Sequence, residues 1–128
     1  MSDTKTPAIR YITVAPDSNY LATIDNFDCV SLFKIGYRHN DENFPREWVF
    51  AGKMRAHRRK VTSIAFGESL DQNMKPYLRL FSVGMDRYLF EYSVYNSNQM
   101  KLKVESSMRI EQEAYPTACV WYPQIDSR

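Results

Sequence analysis

His57, Ser82 and Asp86 are the residue types from which an activated nucleophile is assembled. In such a site a serine hydroxyl attacks, an imidazole takes its proton and a carboxylate orients the ring. That chemistry also needs an open oxyanion site beside the nucleophile, and nothing in the sequence around Ser82 supplies one. The three are therefore expected to hold structure rather than to catalyse, and the chain is expected not to be an enzyme. Other chemistry-bearing patterns are missing. Gly36, Gly52, Gly67 and Gly84 are scattered, so no phosphate-cradling loop forms. There is no D-x-[DN]-x-[DN]-G loop and no H-E-x-x-H, so no metal and no cofactor is expected. His39 has no second ligand near it in sequence and reads as a solvated loop residue. Cys29 and Cys119 lie far apart in apolar, strand-like runs and are expected as buried free thiols, which suits a reducing compartment.

The segment Lys53-Met54-Arg55-Ala56-His57-Arg58-Arg59-Lys60 holds five formal positive charges in eight residues. A nucleic-acid patch would need stacking aromatics on the same face. A basic amphipathic calmodulin target spanning Lys53 to Phe66 would need a helix, which the β-branched run Val61-Thr62-Ser63-Ile64 disfavours. A solvated loop and a protein-docking surface are the readings favoured over these two. The net charge of +2 exerts no strong pull on nucleic acid or acidic membranes. Met1 to Pro7 is short and polar, and no run approaches the ~18 apolar residues of a membrane span. A soluble intracellular protein is expected.

The elements that must position these residues are strands. Nine Tyr, seven Phe and two Trp against four Gly suit a sheet-rich chain. Moreover, the sequence repeats. Arg10–Pro16, Val61–Gly67 and Pro116–Pro123 match at one phase, with Val14, Phe66 and Trp121 in correspondence, so the repeat is a little over fifty residues long. The first copy continues with strands at Tyr20–Thr23, Cys29–Ile35 and Trp48–Met54. The second continues with Leu78–Val83, Tyr88–Val94 and Lys101–Ser106. Surplus length falls at a connection from Gly36 to Glu47 and a hairpin tip from Glu68 to Pro76.

Read in order, Ala15-Pro16-Asp17-Ser18, Ala56-His57, Ser82-Val83-Gly84-Met85-Asp86 and Tyr92-Ser93 resemble the WD-repeat family over essentially the whole chain. Tyr92-Ser93 and Phe33-Lys34 stand where the family has Trp-Asp. The first copy has Phe27 in the slot of the turn Asp and no His before its first strand. The resemblance implies an all-β, WD-repeat β-propeller fragment: two four-stranded antiparallel blades plus the first strand of a third. The divisions are a polar lead-in at 1–9, blades at 10–54 and 55–110, and the first strand of an incomplete blade at 111–128. Rings typically need about 4–8 blades, so the chain is expected to be part of a longer protein. The first blade is expected to be held by apolar packing and ladder hydrogen bonds alone.

The family places His57, Ser82, Asp86 and Tyr92 in a buried structural network. It also puts Arg55, Arg58, Arg59 and Arg87 on one face, beside Asp25 and Asp28, as candidate partner-binding residues. Loops Arg38–Asn43 and Glu68–Lys75 take the opposite face. The phrase from Arg79 to Tyr92, the Leu70-Asp71 insertion and Arg109-Ile110-Glu111-Gln112 are similar to the cilia- and flagella-associated WD-repeat lineage of axonemal radial spokes. That likeness implies a non-catalytic scaffold of motile cilia and sperm flagella that helps assemble spokes and regulate dynein-driven motility. Its partners would be radial-spoke and calmodulin- and spoke-associated complex subunits; no membrane partner is expected, and the near-neutral charge disfavours nucleic acid. The competing expectation is a substrate adaptor of a ubiquitin ligase or other intracellular complex.

Overall fold

Runs rich in β-branched and aromatic residues, punctuated by Asp-containing turns, dictate short paired strands. The computed structural model describes residues 6–37, 42–98, 100–111 and 116–121. Among them are β1 (Ile9–Val14), β2 (Tyr20–Asp25), β3 (Val30–Tyr37), β4 (Arg46–Met54), β5 (Val61–Leu70), β6 (Pro76–Gly84), β7 (Tyr88–Asn98) and β8 (Lys101–Arg109), and no helix. They make two antiparallel four-stranded sheets, ordered β1-β2-β3-β4 and β5-β6-β7-β8. Each strand pairs with its neighbour in sequence, so each sheet is a meander.

The turns share one device. Asp17 takes the Asn19 amide, Asp25 those of Phe27 and Cys29, Asp71 those of Asn73 and Lys75, and Asp86 that of Tyr88. Each of these turns contains one non-glycine residue at positive φ: Ser18, Asp28, Met74 and Arg87. A carboxylate that accepts turn amides offsets the backbone bonds the hairpin cannot make.

Several strands run further than the sequence pattern suggests, β7 to Asn98 and β8 to Arg109 among them. Pairs Glu68–Leu78, Ser69–Tyr77 and Leu70–Pro76 continue the β5–β6 ladder, so the hairpin tip is residues 71–75. Similarly, β3 pairs as far as Tyr37 with Arg46, which shortens the Gly36–Glu47 connection. Residues 38–41 of it, His39 included, lie outside the described residues. The strand expected to open a third blade at Pro116–Pro123 is not formed over its described residues 116–121, which are held to β5 by its side chains rather than by a ladder; 112–115 and 122–128 lie outside the described residues.

Cross-strand partners share a face of a sheet, so the registers show how the sheets stack. The core cluster joins Ala22, Ile24, Val30 and Leu32 of the first sheet to Ile64, Phe66, Leu80, Tyr92, Val94 and Leu102 of the second. Ile12, Val14, Leu21, Phe33 and Phe50 belong to the other face of the first sheet by register. Yet Val14 and Phe33 are the repeat counterparts of Phe66 and Tyr92. The two sheets thus stack in the same sense, like successive steps, rather than face to face about a twofold axis. Phe66 is 6% exposed in the core, while Val14, on the free face, is 52% exposed.

Candidate functional site

Ser82 lies on β6 and Tyr92 on β7, both on the side facing the first sheet, and their side-chain oxygens are 2.7 Å apart. His57 comes from the β4–β5 connection and Asp86 from the β6–β7 turn. The imidazole spans them, with Nε2 2.7 Å from Ser82 Oγ and Nδ1 2.9 Å from Asp86 Oδ1. A carboxylate only accepts, so Nδ1 carries a proton and donates to Asp86. In the neutral ring Nε2 accepts from the Ser82 hydroxyl, which in turn accepts from Tyr92. Burial pushes the Tyr92 phenol well up, outweighing the Ser82 hydrogen bond that lowers it, so it stays a donor. Burial also pushes the Asp86 carboxyl up, but hydrogen bonds from His57 and from the Arg58 and Tyr88 amides outweigh it, and the net shift is downward. The ring sits over Gly84, where a Cβ would come within 2.7 Å of Nδ1. Phe90 meets it edge-on at 4.7 Å. Among the described residues, no buried side-chain polar atom lacks a partner.

The arrangement is suited to fastening rather than to reaction. Ser82 has no exposed surface, and its hydroxyl is engaged on both sides, so no substrate carbonyl can approach it. The network instead fixes the β4–β5 connection to the β6–β7 turn. Asp86 Oδ2 accepts the Arg58 N–H at 3.0 Å, and Lys60 O accepts the Met85 N–H at 2.8 Å. No helix forms between Lys53 and Phe66; that segment is the end of β4, the connection and the start of β5.

Arg55, Arg58, Arg59 and Arg87 all stand at this end of the sheets. The first three are exposed, whereas Arg87 is half-buried in its turn. Asp25 and Asp28 are at the same end but turned inward. Asp28 Oδ1 accepts from Arg10 at 3.0 Å and from the Val61 N–H at 3.1 Å. Arg10 also donates to Val61 O at 3.0 Å. The first sheet therefore has polar fastenings of its own, which corrects the expectation of apolar packing and ladder bonds alone. The turn Asp is present, two positions earlier than Phe27, as Asp25. Asp71, Glu68 and Glu42 sit at the opposite end, on or beside the connections there.

Further contacts escape a reading by motif. The Arg79 guanidinium makes two 2.8 Å bonds to Glu91 and lies 4.9 Å from the Phe81 ring centre. The Glu91 hydrogen bond, with its charge, pushes the Arg79 pKa up against the effect of burial. Trp121 stacks on Phe81 at 5.7 Å on the face of the second sheet away from the first. Its segment is held by side chains: Thr62 Oγ1 donates to Pro116 O at 2.6 Å, and the Cys119 N–H donates to Ser63 Oγ at 3.1 Å. Register counting could have found the Arg79–Glu91 pair, because Phe81 lies opposite Glu91 and Arg79 is its diagonal neighbour. Both cysteines are free but half-buried, and neither lies in a strand. Cys29 closes the Asp25 turn with its amide instead. Burial pushes both thiols up.

Among the described residues, no group of three or more His, Cys, Asp or Glu side chains is placed to hold a metal ion. No family model matches the chain. It is 44% identical over 131 residues to the cilia- and flagella-associated protein 251 of Tetrahymena thermophila. Proteins of the same name from Mus musculus and Pongo abelii are 34% and 35% identical to it over 118 residues. The matches take in 91–92% of this chain but only 13%, 8% and 10% of those three proteins.

Proposed function

We propose that the two sheets are successive blades of a WD-repeat β-propeller, and that the chain serves as a non-catalytic interaction scaffold in motile cilia and flagella. In that role it helps assemble radial spokes and so regulates dynein-driven bending, sperm motility included. The observation that carries the ciliary part is the 44% identity across nearly the whole chain to a cilia- and flagella-associated protein. Same-sense stacking of two repeat-related sheets supports the blade reading, since such a stack extends by adding sheets. The wholly buried Ser82 and the fastening geometry of His57 support a scaffold over an enzyme.

The test is localisation of the tagged full-length protein in ciliated cells, with pull-down of its partners. Retention along the axoneme together with spoke components is expected. A diffuse cytoplasmic signal, or recovery of ubiquitin-ligase subunits in place of spoke components, would overturn the reading.

A further inference from the structure

The end of the sheets that carries the β4–β5 connection separates its charges. Each described aspartate there directs its carboxylate inward: Asp25 to the Phe27 and Cys29 amides, Asp28 to Arg10 and the Val61 amide, and Asp86 to His57 and the Arg58 and Tyr88 amides. Their side chains are only 7%, 21% and 7% exposed. By contrast, Arg55, Arg58, Arg59 and Lys60 are exposed. Among the described residues they have no ion-pair partner within 4.0 Å. The other cations nearby are partly used. Arg10 pairs with Asp28, Lys53 approaches Asp25 at 3.9 Å, and Arg109 approaches Glu111 at 4.0 Å.

These four cations do not ride on a floppy loop. His57, between Arg55 and Arg58, is anchored in the buried network. The Arg58 amide is held by Asp86, and Lys60 O by the Met85 amide. A backbone fixed at these points presents its charges with little ordering cost on binding.

Resting on the scaffold reading above, we infer that this end is a docking site for an acidic peptide segment of a partner protein, held through Arg55, Arg58, Arg59 and Lys60. Carboxylates can pair with guanidinium groups in the bidentate geometry that arginine favours. A phosphodiester strand is the poorer fit, because a chain of net charge +2 provides no extended basic track beyond this one connection.

The test uses the full chain and a fluorescein-labelled peptide of glutamates and serines, read by fluorescence anisotropy at low salt and at about 0.15 M. Arg58→Glu with Arg59→Glu should weaken binding roughly tenfold or more. Lys101→Glu with Lys103→Glu, an equal charge change on β8, should leave it within about twofold. Arg58→Ala with Arg59→Ala guards against a folding effect of the reversals, and all variants are compared by thermal melt. Equal weakening by the two reversal pairs would mean simple net-charge attraction and would overturn the site. Tighter binding of an oligonucleotide of the same charge would overturn the peptide assignment. The two readings fail separately. Loss of ciliary localisation with peptide binding intact removes the scaffold assignment. Intact localisation with unaltered peptide affinity in the Arg58/Arg59 variant removes only this one.

Discussion

Replacing His57 by alanine removes the one side chain that reaches both sides of the buried network, and its cost can be worked from the partners left behind. The His57–Asp86 hydrogen bond is charge-assisted and worth about 1.5–3 kcal/mol, and the neutral one to Ser82 about 1 kcal/mol. Neither partner is wholly stranded. Ser82 keeps Tyr92 at 2.7 Å, and Asp86 keeps the Arg58 and Tyr88 amides. The expected loss is therefore about 2.5–4 kcal/mol, the two bonds together, with no full desolvation penalty added. Urea unfolding of the full chain measures it directly. A cycle with Ser82→Ala then separates the network from simple loss of volume, since groups in one hydrogen-bond network couple by about 0.5–3 kcal/mol. A His57→Ala change below about 0.5 kcal/mol, or strict additivity in the cycle, would show that the network contributes little and refute the reasoning.

Two further perturbations probe other parts of the structure. A Cβ at residue 67 would overlap the Trp121 ring. In a Trp48→Phe background, where Trp121 is the remaining tryptophan, Gly67→Ala should therefore shift the indole emission to the red, and an unchanged spectrum would place the ring elsewhere. Asp86 has a folded-state pKa below its unfolded value. Its stabilisation is thus complete above the unfolded value of ~3.9 and is lost as pH falls through the folded one. The stability gap between wild type and Asp86→Asn should accordingly hold at about pH 5 and shrink below about pH 4, and a gap unchanged on acidification would contradict that linkage.

The strands were legible because period-2 patterning and turn residues are local signals, and the repeat multiplied them. Val14 matching Phe66 set one phase for both sheets, and eight of the nine expected strands occur within a few residues of their observed ends, whereas the ninth, Pro116–Pro123, shows no strand over its described residues. What escaped was decided by geometry that no motif encodes. Glu68 to Leu70 looked like a loop because of its polar surroundings, yet Glu68, Ser69 and Leu70 keep the β5–β6 register. The role of Asp25 carries no motif signal, because the family pattern places the turn Asp where Phe27 stands, while the turn amides are within reach of Asp25 from two residues earlier. Cys29 was expected inside a strand because it heads the apolar run to Ile35, yet β3 begins at Val30 and the Cys29 amide goes to Asp25. His57, Ser82, Asp86 and Tyr92 could be named together only through a family resemblance, since spacings of 25 and 29 residues carry no local signal. The Trp121 stack needed the third dimension, because it joins the second sheet to a segment far along the chain.

The meander connectivity has a kinetic consequence. Every ladder within a sheet joins neighbouring strands, so each sheet can form by successive hairpin closures, events of about 1–10 μs. Contacts between sheets, such as β1 with β5 and β4 with β8, and those that hold residues 116–121 to β5, join segments roughly fifty residues apart. Loop-closure entropy grows slowly with length, but side chains such as Phe66 and Tyr92 can be covered only once both sheets exist. During synthesis every residue of the first sheet is added before Val61, so that sheet can form ahead of the second and offer Ala22, Ile24 and Leu32 as its template. Folding that proceeds with the direction of translation leaves the hydrophobic side of the later sheet uncovered only briefly, whereas refolding of a finished chain from denaturant has no such order and exposes both templates to intermolecular capture at once.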